Sequence, residues 1–185
     1  MKSVEAGSFL IAGPGLQDPN FCRAVVLLCD HNEDGSLGLI VNRPLRTRLA
    51  EVFPELSGES QLGYLHSGGP VETQRVMALR RSGQGHETDH NVVEQLKLVV
   101  AVDELVTELT LDSGSFHDVR FFVGYAGWGR GQLANELKEG AWITRPATSA
   151  LVFDVPPAQI WSRALRELGG YYALLAEMPL DPDLN

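Results

Sequence analysis

The segment His86-Glu87-Thr88-Asp89-His90 is the most literal match in this sequence to a catalytic motif. It fits H-E-x-x-H, in which two histidines one helical turn apart bind zinc and the glutamate activates a water molecule. The motif requires a helix, whereas this segment follows a glycine-broken polar run, and Thr88 and Asp89 are poor residues for a helix interior. We therefore expect a solvated hairpin here and no bound metal.

A second segment, residues 124–132, combines glycines with aromatic side chains. It lies between a predicted strand and a predicted helix, where phosphate-binding loops occur. It lacks the dinucleotide fingerprint G-x-G-x-x-G, because Gln132 occupies the third glycine position. The glycines would let the backbone approach a ligand closely; the alternative is a tight turn capped by core aromatics. Its candidate binding residues are Gly124, Tyr125, Gly127, Trp128, Gly129 and Gln132.

Two shorter clusters could join that segment in one site. Asn42-Arg43-Pro44 places an amide and a guanidinium at the end of a predicted strand, where sheet-based sites form. Gly68, Gly69 and Pro70, preceded by a serine, could expose successive backbone N–H groups as an anion-binding nest. Taken singly, each cluster is more typical of an ordinary turn. We expect these clusters and residues 124–132 to converge on one concave surface, with Arg43 setting the charge of the ligand.

The elements that position these residues follow from apolar runs and helical periodicity. Strands are predicted at Ser8–Ala12, Ala24–Cys29, Leu37–Val41, Arg75–Leu79, Leu96–Val100 and Val119–Val123. The second and third are joined by a hairpin turn in which Gly35 supplies a positive φ. Helices are predicted at Leu49–Phe53, Val102–Leu111, Gln132–Lys138 and Pro157–Leu168. Since strands and helices do not alternate regularly, the sequence predicts an α+β fold.

Composition narrows the class of protein. The chain has 185 residues, with 15 Lys and Arg against 24 Asp and Glu, a net charge of −9. That length predicts about one domain, and the acidic balance argues against direct binding to nucleic acid. No secretion signal or membrane-spanning run is evident, so we expect a cytoplasmic protein without membrane contact. Cys22 and Cys29 have no metal-binding or redox spacing, and an odd separation along one strand would prevent their pairing.

Blocks spread along the chain resemble the AlgH (YqgE-like) family. They are residues 7–12, 18–28, 31–35, 38–45, 67–71, 124–133 and 140–142. The resemblance implies an α+β domain over residues 1–176, whose mixed, bifurcated sheet curls into a pseudo-barrel with helices packed outside. Residues 177–185 form an acidic, proline-containing tail that we expect to be flexible. Ala134 stands where the family usually has glutamate, which weakens any assignment of a catalytic acid there.

Two functional hypotheses follow. The first is a cytoplasmic binding or regulatory module, without a cofactor, that recognises a small anion, a peptide or a protein through the three clusters. A regulatory role linked to transcription is implied by the family name, which comes from a proposed regulator of alginate synthesis. The alternative is a small hydrolase or transferase acting on an anionic substrate, with Arg43 binding the charge and His31 or His66 as base. A histidine within hydrogen-bond reach of residues 124–132 would favour the enzyme.

Overall fold

A computed structural model describes residues 4–56, 63–81, 89–93, 95–111 and 113–178 of the chain. The strands within these ranges are Ser8–Ala12 (β1), Val25–His31 (β2), Gly35–Ile40 (β3), Pro44–Arg48 (β4), Tyr64–Ser67 (β5), Val71–Arg81 (β6), His90–Val93 (β7), Leu96–Val99 (β8), Val119–Gly129 (β9) and Trp142–Pro146 (β10). The α-helices are Leu49–Val52 (α1), Val102–Leu111 (α2), Gln132–Lys138 (α3), Ser149–Phe153 (α4), Pro157–Leu168 (α5) and Gly170–Leu175 (α6).

The strands form one branched sheet. Its main order is β10-β1-β2-β3-β9-β6-β8-β7, and all pairs along this path are antiparallel. Strand β5 pairs in parallel with β9 and antiparallel with β4, so the sheet is mixed and divides at β9. The curled half-barrel with helices packed against it confirms the predicted fold class. Residues 179–185 lie outside the described ranges.

Three apolar cores explain why the N-terminal strands are continuous hydrophobic runs. In β1, Phe9 and Ile11 pack into the core beneath α4, α5 and α6, while Leu10 points to the opposite core beside α3. Residues of β2 alternate between the same two cores. A third core lies between α2 and the strands β5, β6, β8 and β9. Both faces of these strands are buried, as the apolar runs predict.

Helix α5 begins and ends at the residues that the sequence predicts. Helix α5 begins with Pro157, whose missing N–H costs nothing at a first helical position, and ends before Gly169, which has φ +71°. Predicted bounds for α2, α3 and α5 are confirmed. Helices α4 and α6 were not predicted, because five or six residues are too few to show helical periodicity in the sequence.

The hairpin turn between β2 and β3 forms as predicted, but for a different reason. The side-chain oxygen of Asn32 accepts hydrogen bonds from the N–H groups of Asp34 and Gly35, at 2.9 and 3.3 Å. Gly35 is not among the residues with positive φ, so that expectation is wrong. A Cβ at this position would lie 2.6 Å from the carbonyl oxygen of Trp128 on β9, so glycine is required by strand packing.

Candidate functional site

Asn42 lies between β3 and β4 and is buried, with 7% of its surface exposed. Its Oδ1 accepts a hydrogen bond from the N–H of Val25 at 2.9 Å, and its Nδ2 donates to the carbonyl of Arg23 at 2.9 Å. Arg23 has φ +53°, a left-handed conformation that is unusual for a long side chain. The amide of Asn42 therefore stabilises a strained main chain, and both of these hydrogen bonds are made within the protein.

Arg43 follows on the same connection and is half-buried. Its Nη2 donates to the carbonyl of Cys22, and burial lowers the pKa of the guanidinium from its ordinary value. An arginine nevertheless stays protonated at neutral pH. No Asp or Glu of the described residues forms an ion pair with Arg43, in contrast to Arg80, Arg130 and Arg145. The protein thus keeps a partly desolvated positive charge at this position without a neutralising carboxylate.

Arg43 is one of the residues that line a cavity of about 410 Å³, here called the Arg43 pocket. It is lined by Pro19, Asn20, Ile40, Arg43, Pro44, Leu45, Ser67, Gly69, Pro70 and Thr73. Two of the predicted clusters, Arg43-Pro44 and Gly69-Pro70, are therefore brought together, although more than 20 residues separate them in the sequence. The reason is that β5 pairs with both β4 and β9, with Pro44 opposite His66.

The second cluster does not form the anion-binding nest that we expected. The N–H of Ser67 donates to the carbonyl of Arg43, and that of Gly68 donates to the carbonyl of Val123, both at 2.8 Å. These glycines serve the branch point of the sheet instead. A Cβ on Gly69, which has φ +152°, would lie 2.2 Å from the carbonyl carbon of Tyr125. Such a distance is far below van der Waals contact, so the backbones can meet here only as glycine.

The third cluster is not a loop, which corrects the prediction for residues 124–132. Strand β9 continues to Gly129, and only Arg130 and Gly131 form a turn before α3. Gly124 has φ +68° and packs against the carbonyl of Gly69, which places it beside the Arg43 pocket without lining it. Gly127 and Gly129 pair with β3. The Tyr125 hydroxyl lies 3.4 Å from a carboxylate oxygen of Glu72.

Trp128 and Gln132 lie away from the pocket, in a cluster around Glu136. One oxygen of the Glu136 carboxylate accepts hydrogen bonds from the indole N–H groups of Trp128 and Trp142, at 2.8 and 2.7 Å. The other accepts from the amide of Gln132 at 2.9 Å, while the Gln132 carbonyl accepts from the N–H of Gly129. Both indoles are almost fully buried. This cluster attaches α3 to the sheet, and Trp128 is not among the residues that line the Arg43 pocket.

Neither candidate histidine lines the Arg43 pocket. His31 is exposed, and its Nδ1 lies 2.7 Å from the hydroxyl of Ser36 across the β2–β3 hairpin. His66 is buried against Phe122, and no described group hydrogen-bonds its ring nitrogens. Burial, together with the nearby charge of Arg120, lowers its pKa to about 4, so the ring is neutral at physiological pH. Ser36 is opposite Trp128 on β9, so His31 approaches residues 124–132 at the β2–β3 hairpin, and it is not among the residues that line the Arg43 pocket.

Of the H-E-x-x-H segment, His86, Glu87 and Thr88 lie outside the described residues. His90 begins strand β7 and is exposed, so the helix that this motif requires does not form at its second histidine. Asp89 is buried beside the guanidinium of Arg80, with an oxygen-to-nitrogen distance of 3.8 Å. Within the described ranges, no three His, Cys, Asp or Glu side chains are grouped closely enough to hold a metal ion.

A second cavity, of about 510 Å³, lies on the other side of Arg43 and was not predicted. We call it the three-arginine cleft, after Arg23, Arg43 and Arg166. Its other lining residues are Cys22, Asn42, Pro157, Ala158, Trp161, Ser162 and Ala176. The helical spacing of Ala158, Trp161, Ser162 and Arg166 on α5 could have indicated this shared face, but the apolar stripe of the helix dominates its sequence pattern.

The family model described as AlgH-like matches residues 9–173. The chain belongs to the AlgH-like family. A relative in Chlorobium chlorochromatii, named only as a UPF0301 protein, is 37% identical over all of this chain and 97% of its own length. The solution structure of AlgH from Pseudomonas aeruginosa is 35% identical, has a TM-score of 0.74 and covers 97% of this chain and 98% of its own.

A crystal structure from Corynebacterium diphtheriae has a TM-score of 0.81 at 24% identity, covering 96% of this chain and 94% of its own. At that identity the likeness shows the fold alone. The names of these AlgH-like proteins state no substrate, ligand or partner. None of the helices in the described ranges is long and apolar enough to span a membrane.

Proposed function

We propose that this AlgH-like protein is a cytoplasmic binding module that recognises a small anionic group in the Arg43 pocket. The observation that carries the proposal is that the half-buried Arg43 has no ion-pair partner among the described residues and lines a cavity whose described lining contains no carboxylate. A partly desolvated guanidinium forms its strongest hydrogen bonds with carboxylate or phosphate oxygens, often two at a time. An anion would supply the counter-charge that no described residue supplies.

The remaining walls of the Arg43 pocket suit a small polar ligand. Asn20, Ser67 and Thr73 contribute one amide and two hydroxyl groups that can orient an oxyanion, and the prolines and leucine add apolar surface beside it. A volume of about 410 Å³ is within the range of small-molecule sites. We extend the proposal to a regulatory role, in which occupancy of the pocket is the signal and any effect on transcription is indirect.

The structure offers less support for the hydrolase or transferase alternative. General acid–base catalysis requires a titratable group within hydrogen-bond reach of the reacting atoms. The described lining of the Arg43 pocket contains no His, Asp, Glu, Lys or Cys. Binding of an anion is therefore the function that the geometry supports best.

Thermal unfolding in the presence of inorganic phosphate or acetate tests the proposal. At ten times its dissociation constant, a bound anion should stabilise the protein by about 1.4 kcal/mol. In Arg43→Gln this stabilisation should vanish, although the variant itself loses about 1 kcal/mol with the hydrogen bond to Cys22. Each variant is therefore compared with its own baseline. Native mass spectrometry of protein purified from its own host would then identify the natural ligand.

Arg46→Gln is the matched control, because Arg46 lies three residues further along the chain, is exposed and does not line the pocket. It should keep the full response to phosphate. An equal loss of response in both variants would show a general effect of surface charge. A wild-type protein that neither anion stabilises would exclude the pocket as a site for these oxyanions.

A further inference from the structure

We propose that the three-arginine cleft is a binding site for an acidic peptide segment of a partner protein. The cleft shares Arg43 with the Arg43 pocket, and the inference rests on its two other arginines, Arg23 and Arg166. On a chain with net charge −9, the cleft brings three guanidinium groups together, and no described Asp or Glu lines it. Its positive charge is local, and it is concentrated where α5 meets the connection between β1 and β2.

The guanidinium of Arg23 is held in place before any ligand arrives. It lies over the indole ring of Trp161, 4.7 Å from the ring centroid. That indole is itself fixed, since it is 5% exposed and donates to the carbonyl of Ala12 at 2.9 Å. The left-handed backbone of Arg23 is fixed by the Asn42 amide. A preorganised cation loses little conformational entropy when it binds an anion, which favours affinity.

The chain itself shows which chemistry the cleft arginines accept. Beyond α6, one oxygen of the Glu177 carboxylate accepts a hydrogen bond from Nε of Arg166 at 2.9 Å and forms an ion pair with Nη2, also at 2.9 Å. The carbonyl of the next residue, Met178, accepts from the guanidinium of Arg23. A carboxylate and a main-chain carbonyl on consecutive residues are what an acidic peptide presents. Residues 177–178 therefore occupy the rim of the cleft in cis.

This internal occupant is held weakly enough to be replaced. The side chains of Arg166 and Glu177 are 49% and 66% exposed, and ion pairs that open to solvent contribute little to stability. The cavity behind the rim, about 510 Å³, extends to Arg43. A partner segment with an acidic residue can therefore make the same two contacts and add a further one inside the cleft.

The probe for this proposal is the capped tripeptide acetyl-Ala-Glu-Met-amide, which copies residues 176–178, titrated into the full-length protein by NMR. Acetyl-Ala-Gln-Met-amide, without the carboxylate, is the control peptide. We expect the Glu peptide to shift the indole N–H resonance of Trp161 and to bind Glu177→Gln about two- to fivefold more tightly than wild type, because the internal competitor is weakened. Arg166→Gln should weaken binding about tenfold.

Arg163→Gln is the matched protein control, since Arg163 lies on the same helix, pairs with Glu167 and does not line the cleft. It should bind the peptide as wild type does. The proposal is wrong if the Gln peptide binds equally well, or if Arg163→Gln weakens binding as much as Arg166→Gln. Complete displacement of the peptide by an equal concentration of inorganic phosphate would also overturn it, and would make the cleft a site for small oxyanions.

Discussion

The buried imidazole of His66 should make the stability of this protein depend on pH. Burial, reinforced by the charge of Arg120, lowers the pKa of His66 from 6.5 to about 4, although the main chain at Tyr64 and Phe121 favours the protonated form. Between these two values the unfolded chain binds a proton that the folded protein does not. The contribution of neutral His66 to the free energy of unfolding is therefore fully present above pH 6.5 and is lost as the pH is lowered towards 4.

The size of the effect follows from the two pKa values. Each pKa unit corresponds to about 1.4 kcal/mol, so His66 alone should lower the free energy of unfolding by about 2 kcal/mol between pH 7 and pH 5. His66→Leu provides the comparison. It removes two ring nitrogens that have no hydrogen-bond partner among the described residues, so it should cost little at pH 7 and lose this part of the pH dependence.

Urea unfolding followed by tryptophan fluorescence at pH 7 and pH 5 measures both quantities. The wild type should lose about 2 kcal/mol more than His66→Leu over this interval. Carboxylates that titrate near pH 5 contribute equally to both proteins and cancel in the difference. Equal losses in the two proteins would refute the reasoning, because His66 would then bind its proton similarly in the folded and unfolded states.

Two further predictions concern the sheet. Burial raises the pKa of the Cys29 thiol to about 12. Iodoacetamide at pH 8 should therefore label the less buried Cys22 in native protein and Cys29 only after unfolding, which peptide mass spectrometry would show. Rapid labelling of Cys29 in the native protein would contradict its burial. Gly69→Ala should lower the free energy of unfolding in urea by about 3 kcal/mol or more. The control Gly15→Ala, with no atom within 4 Å of its added Cβ, should change it by less than about 1 kcal/mol. Similar losses in the two variants would contradict the close packing at Gly69.

The elements that could be predicted from the sequence are those with strong local signals. Strand β1 and helix α5 have the predicted bounds, because a fully apolar run and a proline-to-glycine interval identify them without tertiary context. Strand β10 was missed because its burial alternates and it lies at an edge of the sheet. The glycines of β9 were interpreted as a loop, because glycine locally favours a turn. In the structure they belong to a strand that Gly68 and Gly69 approach too closely for side chains to fit between the backbones.

Part of the candidate site could be predicted, because some of its residues also stand in segments with strong local signals. The strand exit at Arg43 and the turn at Gly69-Pro70 were visible as clusters, and the sheet brings them to one pocket. Whether the pocket binds a ligand stays a prediction. In the three-arginine cleft, Asn42 and Arg43 were among the predicted site residues, but Arg23 and Arg166 were not, because they come from distant segments and meet only through packing of α5. Contacts of that kind depend on tertiary structure that no local pattern encodes.

The central position of β9 has a consequence for how the chain folds. It joins β3, β5 and β6, and β1 is completed by β10, so residues 8–40 find two of their neighbours only among residues 119–146. During synthesis the β1–β3 meander must therefore wait, with both of its edges unpaired, until most of the chain has left the ribosome. Such long sequence separations slow folding, and exposed strand edges invite pairing with other chains. Assembly of this sheet thus depends on two late strands, β9 and β10, which pair with the two open edges of the β1–β3 meander.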